Sequence, residues 1–134
     1  MTINGMGPCV AVEGSTTSAV FEAYVEQVLV PTLRPGQVVV LDNLTAHKGA
    51  WVRKLVEGRD CEPMFLPPYS PDLNPIEEAF SKVKALLRRA EARSRGSLVD
   101  AIGRALSAIT IRDARGFFEH CGYRASAQTI WRTL

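Results

Sequence analysis

Val38-Val39-Val40-Leu41 runs without a polar break and stops at Asp42-Asn43. A half-exposed strand alternates apolar and polar residues, so an uninterrupted β-branched run predicts a strand buried on both faces. Such a strand fits the interior of a parallel sheet with helical layers on both sides.

The flanking sequence supplies the layers. Val10-Ala11-Val12 reads as a short strand that turns at Glu13-Gly14. Ser15 to Ser18 offer hydroxyls for a helix N-cap. Phe21, Tyr24, Val25, Val28 and Leu29 form one helical stripe, which Pro31 kinks or ends before the turn Arg34-Pro35-Gly36. After the buried strand, a helix over about Ala50 to Glu57 turns Trp51, Val52, Leu55 and Val56 inward and stops at Gly58. Cys61 to Leu66 returns as a strand, in which Pro63 argues for an edge or irregular position. Asn74-Pro75 starts a helix running to about Arg93, with Ile76, Phe80, Val83 and Leu87 as its core stripe. A break at Gly96-Ser97 precedes a helix with Leu98, Ile102, Leu106 and Ile109 on one face. A last short helix carries Phe117 and Phe118 and ends near Gly122, and 125–134 shows no clear element. This α/β alternation predicts a mostly parallel sheet flanked by helices, in which ligands bind at the carboxyl ends of strands. Asp42 occupies such an end.

With 134 residues the chain is long enough for one domain with a core and too short for two. No apolar run approaches the roughly 20 residues that span a bilayer, and the first residues lack the regions of a signal peptide. Cys9, Cys61 and Cys121 are far apart and odd in number, which fits reduced thiols in a cytoplasmic protein, two of them buried, better than a zinc site. Charge is uneven. Lys82, Lys84, Arg88, Arg89, Arg93 and Arg95 against Glu91 give that stretch +5, while the rest of the chain carries −3. Such a face suits a phosphate backbone, although a solvated helix surface would look the same.

Two carboxylates stand out. Asp42 closes a strand, where an Asp followed by Asn also serves as an ordinary turn or cap. Glu77 is the third helical residue after Asn74 and Pro75, where a capping box would account for it without any chemistry. Capping leaves unexplained the Pro-rich lead-in from Pro67 to Asp72, and the line of Ser81, Lys84 and Arg88 that continues from Glu77 along one helix face. Glu78 faces Lys82 instead, as an exposed pair one turn apart.

Val39-Val40-Leu41-Asp42-Asn43, then His47-Lys48, then Phe65-Leu66-Pro67-Pro68-Tyr69-Ser70-Pro71-Asp72-Leu73-Asn74-Pro75-Ile76-Glu77 resembles the signature of the bacterial mariner-like insertion-sequence transposases, DDE superfamily endonucleases. The 34 residues between Asp42 and Glu77 match that family's spacing between its second and third metal-binding acids. The likeness extends from about Phe21 to Tyr123. It implies an RNase H-like mixed sheet flanked by helices, spanning 1–123 with 97–123 as a C-terminal helical extension and 124–134 as a tail. It also implies Asp42 and Glu77 as catalytic metal ligands, two Mg²⁺ (or Mn²⁺) ions, and cleavage and strand transfer of transposon DNA in the bacterial cytoplasm, at the nucleoid. Asn43, His47, Tyr69, Asp72 and Asn74 match further signature positions. His47 reads as a phosphate neighbour or a polar helix start. Tyr69 reads either as a group stacking or hydrogen-bonding near substrate or as packing beneath the Pro-rich loop. Lys48, Lys84, Arg88 and Arg89 are the candidate contacts to double-stranded DNA.

The family's first Asp lies on the leading strand of the sheet. None of the 41 residues before Asp42 is Asp, and the acids there are Glu13, Glu22 and Glu26. The resemblance therefore implies the C-terminal part of a transposase catalytic domain, without its leading strand or strands and N-terminal DNA-reading region. Such a chain is expected to be inactive alone and to form a homodimer or pair with a complementing N-terminal segment through an exposed sheet edge. The alternative is a non-catalytic DNA-binding or assembly module derived from a transposase.

Overall fold

Residues 1–42, 49–124 and, as backbone only, 130–133 are described in the structure, a computed structural model. Helix α1 (Ser18–Tyr24) starts where the Thr17 hydroxyl accepts the Val20 N–H at 3.3 Å. The helical path continues as a π-turn over Val25–Leu29 and a 3₁₀ turn over Val30–Thr32. Pro31 brings no N–H to the ladder, and the Val30 N–H reaches back to the Val25 carbonyl instead of one residue less. The expected stripe is kept, with Phe21, Val25 and Leu29 buried.

Strand β1 (Gln37–Leu41) is the expected buried run, and Val39, Val40 and Leu41 are fully covered. It pairs in parallel with β2 (Glu62–Phe65), Val39 opposite Pro63 and Leu41 opposite Phe65. On its other side lies β3 (Ile130–Thr133), also parallel, with Val39 opposite Arg132. The order is β2-β1-β3, so β2 is an edge strand, as Pro63 requires. Nothing in the tail sequence had suggested β3. No strand forms at Val10–Val12, where both valines are about half exposed and no strand among the described residues lies beside them to form a ladder.

Helix α2 (Ala50–Glu57) ends at Gly58 and packs Val52 and Val56 onto the sheet with Phe21, Leu29, Val39 and Leu41. Trp51 is not inward as expected. It is exposed on the outer face, where the Lys54 ammonium lies 5.6 Å from its ring centre.

A second core lies on the helical side. Helix α3 (Pro75–Ala90) ends at Glu91, a left-handed residue at φ 46°. Helix α4 (Arg95–Ser107) begins earlier than expected, with Gly96 and Ser97 inside its first turn. The Ser94 hydroxyl accepts the Ser97 N–H and the Ser97 hydroxyl accepts the Ser94 N–H, both at 3.1 Å, which fixes the start at Ser94. Helix α5 (Ile111–His120) has the same device between Thr110 and Asp113. The inward face of α3 is Ile76, Ala79 and Val83, packed against Ala105, Ile109, Ala114 and Phe118. Phe80, expected in that stripe, is 42% exposed, and Leu98 of α4 is 43% exposed. The small residues Ala79 and Ala105 take the contact positions instead, letting the helices approach closely.

Lys82 does not pair with Glu78. Its ammonium donates to Asp113 Oδ2 at 2.6 Å and to the Ala108 carbonyl at 3.3 Å, joining α3 to the start of α5. Lys82, with help from Thr110, holds the Asp113 carboxyl well below its ordinary 3.8, at about 2. A depressed carboxyl stabilises the fold above its unfolded value and loses that contribution as pH falls through the folded one. Acid unfolding is therefore expected to show a component between about pH 4 and pH 2, checked by thermal melts against pH and removed in Asp113→Asn.

Candidate active site

Asp42 follows directly on β1. The parallel pairing extends one step past β2, where the Leu66 N–H donates to the Leu41 carbonyl at 2.8 Å, so the chain leaving β2 passes beside Asp42. Two prolines then carry it outward to Tyr69, and a 3₁₀ turn at Pro71–Leu73 brings it back to Asn74 and α3. The result is a cleft of about 330 Å³ at the carboxyl ends of the strands, with Asp42, Tyr69, Asn74 and Glu77 among its walls.

Glu77 is not a capping residue. A capping box needs the N-cap amide as a donor to the third-residue carboxylate. Here the Asn74 N–H already donates to the Pro71 carbonyl at 3.0 Å, closing the 3₁₀ turn. The helix start has no side-chain cap. Asn74 is only 2% exposed and forms the floor of the loop. The Pro-rich lead-in thus has a structural consequence: it uses the amide that would otherwise hold Glu77 away from the cleft. The Ser81 hydroxyl donates to the Glu77 backbone carbonyl at 3.0 Å.

Glu78 differs from the expected exposed partner of Lys82. Its carboxylate is only about one-third exposed, meets His120 Nδ1 at the end of α5, and accepts from the buried Cys121 thiol at 3.7 Å. Tyr123, just beyond, donates its hydroxyl to the Leu73 carbonyl at 2.6 Å. These contacts bind the end of α5 to the first turn of α3 and to the residue before Asn74. Sequence periodicity could not reveal them, because the partners lie more than forty positions apart. Burial, then the Glu78 carboxylate, pushes the Cys121 thiol up to about 11, and burial pushes the Tyr123 phenol up to about 12. The hydrogen bond and charge of Glu78 raise His120 above its ordinary 6.5. A raised imidazole contributes fully below its unfolded value and loses the contribution as pH rises through the folded one. NMR titration of the imidazole is expected to give a midpoint above 6.5, returning toward it in Glu78→Gln.

Lys84, Arg88 and Arg89 are exposed on α3. Two members of the basic run are engaged elsewhere, Lys82 with Asp113 and Arg95 with Glu13. Asp72 is exposed on the 3₁₀ turn and is not among the cleft walls. Asn43, His47 and Lys48 lie outside the described residues. None of Glu13, Glu22 and Glu26 lines the cleft. Among the described residues no group of three or more His, Cys, Asp or Glu side chains comes together to hold a metal ion. Among the described residues the cleft brings together two carboxylates, not three.

The family model described as DDE superfamily endonuclease matches residues 1–99. The chain belongs to this family. A search of curated proteins gives no match. As a DDE endonuclease domain it is a relative of transposases, of a family that cleaves DNA with divalent metal ions. The matched span contains Asp42, the whole cleft loop and all of α3, and it ends inside α4. Helix α5, with His120, and Tyr123 therefore lie beyond the match while touching its cleft-forming segment. Among the described residues no helix is long and apolar enough to cross a membrane.

Proposed function

We propose that the chain is the C-terminal part of a mariner-like bacterial transposase catalytic domain with an RNase H-like fold, supplying two of the three acids of a Mg²⁺- or Mn²⁺-dependent DNA cleavage and strand-transfer site at the nucleoid. The observation that carries this reading is the common cleft of Asp42, from a strand end, and Glu77, from a helix start whose capping amide is already used. The donor set fits the metal. Mg²⁺ takes hard oxygen ligands, keeps several waters, and is commonly held by one or two carboxylates with phosphate oxygens completing the shell. A bound divalent ion would polarise a phosphoryl oxygen and make an attacking water or hydroxyl more acidic. Asp42 and Glu77 would fix its position from two separate elements, and Lys84, Arg88 and Arg89 would carry the DNA backbone along α3. The first acid would come from a complementing N-terminal segment, with a homodimer as the other source of a partner.

A second reading is favoured by one observation, the presence of only two carboxylates in the cleft among the described residues. On it the chain is a non-catalytic DNA-binding or assembly module. Nicking of labelled duplex DNA in Mg²⁺ or Mn²⁺ by the purified chain, alone and with an N-terminal transposase segment added, separates the two. Nicking in either arm that disappears in Glu77→Ala supports the site. Salt-dependent duplex binding that Asp42→Ala and Glu77→Ala leave untouched, without nicking in either arm, supports the module.

A further inference from the structure

We propose that Tyr69 is a stacking platform for an unpaired nucleobase at the rim of the Asp42–Glu77 cleft. Tyr69 does not pack beneath the Pro-rich loop, the alternative that the sequence left open. Its side chain stands fully in solvent, at 101% relative exposure. Its backbone lies in the left-handed region at φ 56°, where Gly or Asn would sit with little strain and a bulky residue is disfavoured. Among the described residues the phenol and ring have no hydrogen-bond or ring partner. An aromatic there is thus doubly unfavourable for the isolated fold, through exposed apolar surface and through backbone strain. Strain of this kind persists where the surroundings impose it and clusters at ligand-binding positions.

The surroundings are Pro67, Pro68 and Pro71, which limit the loop on both sides of the residue. Tyr69 also shares its cleft with both acids. The proposal rests on the reading of that cleft as a DNA site, and it names what lies beside the phosphate. A base inside a duplex hides both faces in the stack. A base at a strand end or in an overhang offers one face, and an exposed, preoriented ring is what holds such a base regardless of its identity.

The test uses the whole chain without metal, so that loss of ion binding does not enter. Two DNA probes carry 2-aminopurine, one at the end of a single-stranded overhang and one inside a blunt duplex of the same length. The wild-type chain should quench the overhang probe and bind it more tightly than the blunt one. Tyr69→Phe should keep both properties. Tyr69→Ala should lose the quenching and bind the overhang about tenfold more weakly, with blunt-duplex affinity unchanged. Tyr69→Gly should bind like the alanine variant yet melt at a higher temperature, because it relieves the positive φ. Equal effects of Tyr69→Ala on both probes, quenching that survives it, or a phenylalanine variant that behaves like alanine would each overturn the proposal. Loss of self-association in place of overhang binding would overturn it too, making the ring a contact between chains. A wild-type chain that binds neither probe fails the DNA reading of the cleft, and this proposal with it. Binding of both probes alike fails the proposal alone.

Discussion

Glu77→Ala is expected to abolish Mn²⁺ binding in the cleft, observed as loss of the bound-ion signal in electron paramagnetic resonance titrations. Loss of a residue that merely supports a metal ligand weakens affinity by roughly 10–100-fold. If Asp42 and Glu77 are the two direct carboxylate ligands proposed above, removing one should exceed that, and Asp42→Asn, which keeps the shape and removes the charge, should match it. The informative control is the neighbouring acid. Glu78 differs from Glu77 by one position but turns toward His120 and Cys121, so Glu78→Ala should leave Mn²⁺ affinity within a few-fold. Equal losses in the two variants would mean that the ion senses only the general charge at the start of α3. Retained binding in Glu77→Ala would remove Glu77 from the site altogether.

The largest stability effect is expected at Phe118, which is 1% exposed in the helical core. Truncating a buried phenylalanine costs about 3–5 kcal/mol through lost burial and the cavity left behind. That is a large share of the roughly 5–15 kcal/mol that holds an ordinary domain together. The Phe118 ring also meets Tyr123 edge-on at 5.9 Å, so its loss loosens the residue that anchors the Leu73 carbonyl. Phe118→Ala should therefore lower the urea midpoint steeply and blunt any cleft-dependent binding, while Phe118→Leu should be milder. Phe80→Ala supplies the contrast. Helical periodicity alone makes Phe80 a core residue, yet its exposure limits the expected change to well below that at Phe118. A similar loss at both positions would contradict the packing of α3 described above.

That contrast marks the limit of what sequence could reveal. The double-sided burial of β1, the parallel pairing with β2 and the start of α3 were all legible, because each follows from local chemistry: a β-branched run, an edge-compatible proline, an Asn-Pro helix start. The rotation of α3 was not. Its apolar stripe is equally well drawn through Phe80 or Ala79, and only the approach of α4 and α5 decides between them. The same holds for Glu78 and Lys82, which satisfy a one-turn spacing yet go to His120 and Asp113 on α5. For Glu77 the sequence offered a cap and a ligand as rival roles. The rivalry is decided against the cap by one backbone bond, from Asn74 to Pro71, which no periodicity predicts. Strand β3 escaped notice because its partner lies at the other end of the chain.

That last pairing sets an order on biosynthesis. Strands β1 and β2 emerge within a few tens of residues of each other, whereas β3 follows β1 by about 90 residues. At a synthesis rate of roughly 5–20 residues per second, the second flank of β1 stays uncovered for roughly 3–14 s after the first can close. For that interval Val38 to Leu41 offer an unpaired apolar edge on the ribosome, where a chaperone, another nascent copy or a strand from a separate polypeptide competes with the chain's own β3.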